Sequence, residues 1–167
     1  MDVSDVFKKR NLKNINFEYE NLVGKNLSDT FLSGVNLSGA DMHEANFSGA
    51  DLSQANLQSG ILFSVKFRGA DLRGANLSKS KIWDADMYGV DLRGTDLRGC
   101  DLFNTDLKSS DLSDADLGNS YLKNDDLTGA VLTNTNFSNT KYDKKTIETI
   151  SDKDVKLRII NQGILWE

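Results

Sequence analysis

Residues 50–59 read ADLSQANLQS, and residues 70–79, twenty positions further on, read ADLRGANLSK. Each stretch contains two copies of a five-residue unit, A-[DN]-L-x-x, in which a small residue, an Asp or Asn and a leucine follow one another. A large apolar residue continues to occupy every fifth position from Leu12 to Tyr142, which gives 27 successive positions without a change of register. An internal repeat of this length dominates the interpretation of a sequence, because it indicates a chain built from stacked copies of one unit.

A period of five fits neither regular secondary-structure element. In an α-helix five residues advance by about 500°, so successive large residues would lie on different faces of the helix. In a flat strand an odd period places alternate residues on opposite faces. All of these side chains can enter one core only if the chain bends after every five residues. The sequence therefore predicts a coil with short straight sides and frequent corners.

The other positions of the unit support this coil. The residue two positions before each large apolar residue is small from Thr30 to Thr140, with Asp125 as the one exception, and a small side chain can also face a narrow interior. The position between the two is mostly Asp or Asn, whose side chains bond to nearby backbone and favour turns. The last two positions are mostly Ser, Arg, Lys, Gly or Asn, which suits contact with solvent.

The unit A-[DN]-L-x-x, repeated over residues 10–144, resembles the pentapeptide repeat family. The resemblance implies an all-β solenoid, a right-handed quadrilateral parallel β-helix with four units per turn. Columns read at a spacing of 20 agree with this number: one is entirely leucine, and another places Phe47 beside Phe67, as in-register stacking favours. About seven 20-residue turns would form a rod roughly 30 Å tall.

The chain divides into three segments around this repeat. Residues 1–9 are predicted to form an N-terminal cap, residues 10–144 the β-helix, and residues 145–167 a C-terminal cap that includes a helix. Caps are expected because a solenoid leaves unpaired backbone edges and an open core at both ends.

The C-terminal segment has more apolar residues than one solvated helix needs. Ser151 and Asp154 form a candidate capping box for a short helix that ends near Gly163. The segment either caps the last turn or contributes a dimer contact, as C-terminal helices do in the quinolone-resistance members of the family, and the two roles are compatible. The candidate residues for a cap or dimer contact are Val155, Ile159, Ile160, Leu165 and Trp166.

Composition and charge argue against several functions. The formal net charge of −5 disfavours direct binding of nucleic acid or of an anionic membrane, and no apolar run has the length of a membrane span or a signal peptide, so we expect a cytoplasmic protein. The single histidine, His43, is in an outward position and the single cysteine, Cys100, is in a small inner position. Stacked aspartates would have the spacing for calcium, but Arg73, Arg93 and Arg98 lie on the same faces and would neutralise them. We therefore predict no catalytic group, no cofactor and no metal site.

Departures from the repeat indicate a candidate interaction surface. The position after the inner residue reads His43, Phe63, Trp83 and Phe103 at a spacing of 20, which predicts an outward column with one side chain per turn. Exposed aromatic patches favour a partner or self-association surface. Two alternatives remain open, a ladder that stacks without any partner and a C-terminal tail that folds over it. The full candidate face comprises His43, Ile61, Phe63, Lys81, Trp83, Tyr88, Phe103 and Tyr121.

Two functions follow from these features. The first is a non-catalytic interaction or structural solenoid that binds an unknown protein partner, or forms a homodimer through the C-terminal segment or the aromatic face. The second, implied by the resemblance to the quinolone-resistance members, is a DNA mimic that binds DNA gyrase or topoisomerase IV. Nine acids from Asp91 to Asp126 stand against four basic residues, and the candidate mimic surface comprises Asp91, Asp96, Asp101, Asp106, Asp111 and Asp116. The short rod, the absence of a register-breaking loop and the aromatic face make the interaction module the preferred function.

Overall fold

The structure, a computed structural model, describes residues 11–13 and 15–165. Within these residues the chain forms a four-sided coil, in which the Asp/Asn position of each unit pairs in parallel with the residue 20 positions further on. Asn36, for example, pairs with Asn56. The pairing keeps this register along the whole rod, so four units make one turn, as the sequence predicts. The predicted N-terminal cap at residues 1–9 lies outside the described residues.

Each side of the coil ends in a β-turn whose third residue has a positive φ. In one such turn the amide of Ala40 donates to the carbonyl of Leu37 at 3.1 Å, and Gly39 has a φ of 65°. A positive φ recurs at every fifth residue from Tyr19 to Asn139. Gly, Asn and Asp enter this left-handed region at the lowest cost, and the sequence places them at most of these corners.

The Asp or Asn of each unit also stabilises the adjoining turn. Oδ1 of Asp51 accepts a hydrogen bond from the amide of Ser53 at 3.1 Å, and the same bond recurs along the rod. Some of these side chains also connect successive turns, since Nδ2 of Asn56 donates to Oδ1 of Asn36 at 3.2 Å. Local turn chemistry and stacking between turns therefore favour the same conformation.

The core runs through the middle of the coil. Every large apolar residue of the repeat from Leu12 to Tyr142 is buried, which confirms the inward assignment. The rings of Phe47 and Phe67 stack with centroids 5.4 Å apart. Most Ser and Thr residues in the small position satisfy their hydroxyls inside the core, as where Thr95 donates to the Leu72 carbonyl at 2.9 Å, whereas the buried Ser120 hydroxyl has no hydrogen-bond partner.

Regular elements are longest at the C-terminal end. In chain order they are β1 (Tyr121–Leu122), β2 (Lys141–Tyr142), α1 (Lys144–Thr149), α2 (Lys153–Gln162) and β3 (Ile164–Leu165). The three strands form a parallel sheet in the order β1-β2-β3, with Lys141 paired to Tyr121 on one side and to Ile164 on the other. The tail thus adds one more strand to one side of the rod and places its helices over the last turn.

Helix α2 begins one residue later than the sequence predicts. Its N-cap is Asp152, whose carboxylate accepts from the amides of Asp154 at 2.8 Å and Val155 at 3.2 Å, so the predicted capping box led by Ser151 is wrong. A charged carboxylate is favoured at this position because it also compensates the positive end of the helix dipole. The helix does end at Gly163, as predicted, where a side chain would come within 2.7 Å of the Thr140 carbonyl oxygen.

Candidate interaction face

The predicted outward column lies on one side of the rod, and three of its four rings form a continuous series of contacts. His43 and Phe63 meet edge to face with centroids 5.8 Å apart, and Phe63 and Trp83 stack at 4.7 Å with their planes inclined by 22°. Trp83 and Phe103 remain 37% and 41% exposed. The column forms because the position after each inner residue points away from the core and recurs once per turn.

A groove interrupts the column between Trp83 and Phe103. It has a volume of about 310 Å³ and is lined by Trp83, Asp84, Asp101, Phe103 and Lys123. Asp84 and Asp101 occupy the positions on either side of the aromatic column, and Oδ1 of Asp84 accepts from Nδ2 of Asn104 at 2.6 Å. The groove therefore combines two aromatic walls with two carboxylates and one lysine.

The other candidate residues divide between two sides of the rod. Ile61 pairs with Lys81, Lys81 with Asp101 and Asp101 with Tyr121, so all four flank the aromatic column directly. Tyr88 lies on the neighbouring side instead, where the guanidinium of Arg68 sits 4.6 Å from its ring centroid. The structure thus brings seven of the eight predicted residues together and places Tyr88 around the corner from them.

The C-terminal tail lies at the end of the rod rather than along this side. Strand β3 pairs with β2 at Lys141, and Ile159 of α2 is fully buried against the core. The alternative in which the tail covers the aromatic column is therefore wrong for the tail as far as Leu165.

The C-terminal candidates form a second, smaller surface. Val155 is partly buried against the core, whereas Ile160 and Leu165 are 50% and 56% exposed. Ile160 and Leu165 line one shallow groove with Tyr142, Lys144 and Ile147, among others. Trp166 lies outside the described residues. The described tail thus caps the last turn and leaves apolar side chains at its outer end.

The candidate acidic surface is largely paired with basic side chains. Arg93 binds Asp91 through two hydrogen bonds of 2.8 and 2.6 Å, and Arg98 binds Asp96 through bonds of 2.9 and 2.6 Å. These bonds, with the nearby positive charge, hold the pKa of both carboxyls below the usual range. The neutralisation predicted for Arg73, Arg93 and Arg98 is therefore present, and Arg73 binds Asp71 in the same way.

The remaining acids of this surface also lie near basic side chains, and the acids are spread over the sides of the rod. Arg93 and Arg98 lie 3.8 and 3.9 Å from carboxylate oxygens of Asp111 and Asp116 in the next turn, and Lys108 bridges Asp106 and Asp126. At four units per turn, the six candidate acids lie on all four sides of the rod. The structure does not assemble them into one strongly negative face.

The single cysteine does not have the surroundings of a reactive thiol. Cys100 is buried and its thiol donates to the Leu77 carbonyl at 2.8 Å, and burial raises its pKa to about 12. Over residues 11–13 and 15–165, no cluster of His, Cys, Asp and Glu has the arrangement of a metal site. The helices in that range are also too short or too polar to cross a membrane.

Asp125 is a buried carboxyl at the one position where the sequence breaks the small-residue pattern. It occupies the small inner position and is 1% exposed; one carboxylate oxygen accepts from the Thr105 amide at 2.7 Å and the other has no hydrogen-bond partner. Burial raises its pKa well above the usual value, and the negative charges of Asp143 and Asp101 act in the same direction. The signal in the sequence was the single break in the small-residue position.

A model of the family described as pentapeptide repeats matches the chain in eight copies, over residues 21–58, 62–94, 70–108, 85–124 and 110–141. The chain belongs to the pentapeptide repeat family. Its fold is the right-handed quadrilateral parallel β-helix that the repeat unit implied. A search of curated proteins found no match to this pentapeptide repeat protein.

Solved structures of several pentapeptide repeat proteins are similar to this one. Full-length QnrB1, a plasmid-mediated fluoroquinolone resistance protein, is 19% identical with a TM-score of 0.52, and the match covers 80% of this chain and 74% of QnrB1. HetL, involved in heterocyst differentiation regulation in the cyanobacterium Nostoc sp. strain PCC 7120, is 25% identical with a TM-score of 0.42, over 86% and 80% of the two chains. Rfr23 from the cyanobacterium Cyanothece 51142 is 22% identical with a TM-score of 0.35, over 86% and 95%. At 19% identity, the similarity to QnrB1 shows a shared fold and nothing about function.

Proposed function

We propose that this protein is a non-catalytic interaction module that presents its aromatic column to a protein partner, in the cytoplasm. The observation that carries the proposal is the exposure of Trp83 and Phe103 on a flat side of a rigid rod. Aromatic residues are enriched among those that contribute most to binding at protein interfaces, because they bury a large area at a small cost in side-chain entropy.

The arrangement of the column supports this proposal in two further ways. Stacking between Phe63 and Trp83 restrains both rings before any partner arrives, which lowers the entropy lost on binding. Both side chains stand outside the core, so their identity is not required by the repeat itself. Exposed aromatic groups at such positions therefore contribute more to contact with a partner than to folding.

The test of the interaction face is the substitution Trp83→Ser. We expect the variant to fold normally, with the far-ultraviolet circular dichroism of the wild type, and to lose at least tenfold in self-association or in recovery of its partners by affinity capture, since an aromatic hot spot contributes about 2 kcal/mol or more. Sedimentation velocity and quantitative mass spectrometry of captured proteins measure the two effects.

The matched control is Phe31→Ser. Phe31 is 50% exposed and lies two units away around the coil, on the opposite side of the rod, so its loss removes a similar ring without touching the column. Unchanged sedimentation together with an unchanged set of partners in Trp83→Ser would contradict the proposal.

A competing function is modulation of DNA gyrase or topoisomerase IV by DNA mimicry. The excess of acids between Asp91 and Asp126 favours it, and QnrB1, with the same fold, is a fluoroquinolone resistance protein. The paired and dispersed carboxylates count against it, because a mimic of duplex DNA needs an unneutralised row of negative charge.

A supercoiling assay separates the two functions. Purified protein at micromolar concentration is added to gyrase, with and without a quinolone, and both supercoiling and quinolone-stabilised cleavage are measured. We expect neither to change by more than about twofold, because exposed ion pairs leave little net field beyond a Debye length of about 8 Å. Dose-dependent inhibition of supercoiling, or protection from cleavage, would favour the mimic over the interaction module.

A further inference from the structure

The groove between Trp83 and Phe103 has a shape that suits a flat group. One face of the Trp83 indole is covered by Phe63, with centroids 4.7 Å apart, and its other face is turned toward the next turn of the coil, which carries Phe103. The space between the two side chains, about 310 Å³, is open to solvent from the side of the rod. A planar group entering from that side would contact an aromatic face.

The charges around the groove select the sign of that group. Asp84 and Asp101 flank the aromatic column on its two edges, and Lys123, in the following turn, limits the groove at one end. Asn104 binds only one oxygen of the Asp84 carboxylate, so the other oxygen is available to a ligand. Among the residues that line the groove, two carboxylates against one ammonium favour a cation, and they disfavour phosphate or nucleic acid.

We propose that the groove binds the guanidinium of an arginine side chain on the partner protein. A guanidinium is planar, stacks on aromatic faces and donates paired hydrogen bonds to carboxylates, so it complements both the walls and the edges of the groove. A lysine ammonium satisfies only the charge, since it offers no flat surface to the rings. This assignment rests on the proposed function and names the chemistry by which the aromatic face recognises its partner.

The test uses a chemical probe in place of an unidentified partner. The full chain carrying Trp166→Phe, so that Trp83 is the single tryptophan, is titrated with the peptide acetyl-Gly-Arg-Gly-amide and with the same peptide containing citrulline or lysine. Tryptophan fluorescence and backbone amide chemical shifts are followed together. We expect saturable binding of the arginine peptide, with citrulline, which is planar but neutral, about tenfold weaker, since it loses two exposed ion pairs and the cation–π contact. The lysine peptide is expected to be weaker than the arginine peptide as well.

A pair of matched variants locates the site. Asp84→Asn is expected to weaken binding of the arginine peptide by about two- to fivefold, the range for one exposed ion pair. Asp114→Asn is the control: Asp114 has the same corner position with a positive φ, and its carboxylate likewise accepts from an asparagine one turn on, but it lies on another side of the rod. Equal weakening by the two variants would contradict the assignment.

The outcomes also separate this inference from the proposed function. The inference is overturned if neither fluorescence nor amide shifts respond saturably to the arginine peptide, or if citrulline binds as well as arginine. The proposed function would still stand in that case, provided that Trp83→Ser loses its partners. If the peptide binds while Trp83→Ser keeps every partner, the groove is an arginine site and the proposed function fails.

Discussion

Leu92→Asp is expected to unfold the central turns of the rod. Leu92 is fully buried in the column of leucines that includes Leu72 and Leu112, so the substitution removes a buried side chain and places an unpaired carboxylate in the core. Loss of the leucine alone costs about 2–5 kcal/mol, and an uncompensated buried charge adds several more. The sum is comparable to the whole stability of a typical domain, about 5–15 kcal/mol.

Circular dichroism and limited proteolysis measure this effect. In a solenoid each turn contacts only its neighbours, so we expect cleavage to begin in the units around position 92. Leu92→Met, which keeps size and polarity nearly constant, is expected to cost less than about 1.5 kcal/mol. Thr133→Asp adds the same charge at an exposed position and should leave the rod folded. A folded, protease-resistant Leu92→Asp protein would refute the inward assignment of the repeat.

Asp125→Asn is expected to stabilise the protein at neutral pH and to reduce the loss of stability that occurs as the pH rises from the unfolded pKa of this carboxyl toward its folded pKa. The carboxyl of Asp125 is buried with one oxygen unpaired, and burial raises its pKa well above the usual value of 3.8. A group with a raised pKa in the folded state contributes stability below its unfolded pKa, and this contribution is lost as the pH rises toward the folded pKa. Each unit of difference between the folded and unfolded pKa values corresponds to about 1.4 kcal/mol in the free energy of unfolding.

The difference in unfolding free energy between Asp125→Asn and the wild type is expected to increase with pH. Near pH 3 the wild type carries a neutral carboxylic acid at this position in both states, so we expect the asparagine variant and the wild type to have similar unfolding free energies. The difference should grow in favour of Asp125→Asn as the pH rises through the range between the unfolded and folded pKa values. Urea unfolding of both proteins at several pH values between 3 and 9 measures it.

Asp96→Asn provides a control of opposite sign. The hydrogen bonds and charge of Arg98 lower the pKa of Asp96, so its contribution to stability is present above the unfolded pKa and is lost as the pH falls. This variant should therefore be less stable than the wild type at neutral pH, with a difference that shrinks in acid. A difference for Asp125→Asn that stays constant across the pH range would contradict the buried, raised-pKa assignment.

Much of the fold follows from local interactions that can be predicted from the sequence. The spacing of Leu52, Leu57, Leu62 and their equivalents requires a bend after every five residues, and the Gly, Asn or Asp at the corner position supplies the positive φ that the bend needs. Pairing of Asp or Asn with the amide two residues on lies within a single unit, so it too is predictable. The aromatic column follows from the same register, because the direction of each side chain depends only on its position in the unit.

The start of α2 was harder to predict because several residues compete for one helix end. Ser151 and Asp152 are both good N-cap residues, and only the path of the backbone from α1 over the last turn places the Asp152 carboxylate against the free amides. The position of the tail was undetermined for the same reason, since its apolar residues could have covered either the open core or the aromatic column.

The sequence alone thus determined the coil, its register, its core and the outward direction of Trp83, since each of these depends on interactions within a unit or between identical positions one turn apart. Three features were decided only by the packed structure: the groove beside Trp83, the unpaired oxygen of Asp125 and the end of the rod that the tail covers. They depend on distances between side chains from different turns and on which space the helices fill. The repeat sets the position of each residue on the coil. Contacts between non-equivalent residues depend in addition on how the side chains of neighbouring turns pack against one another.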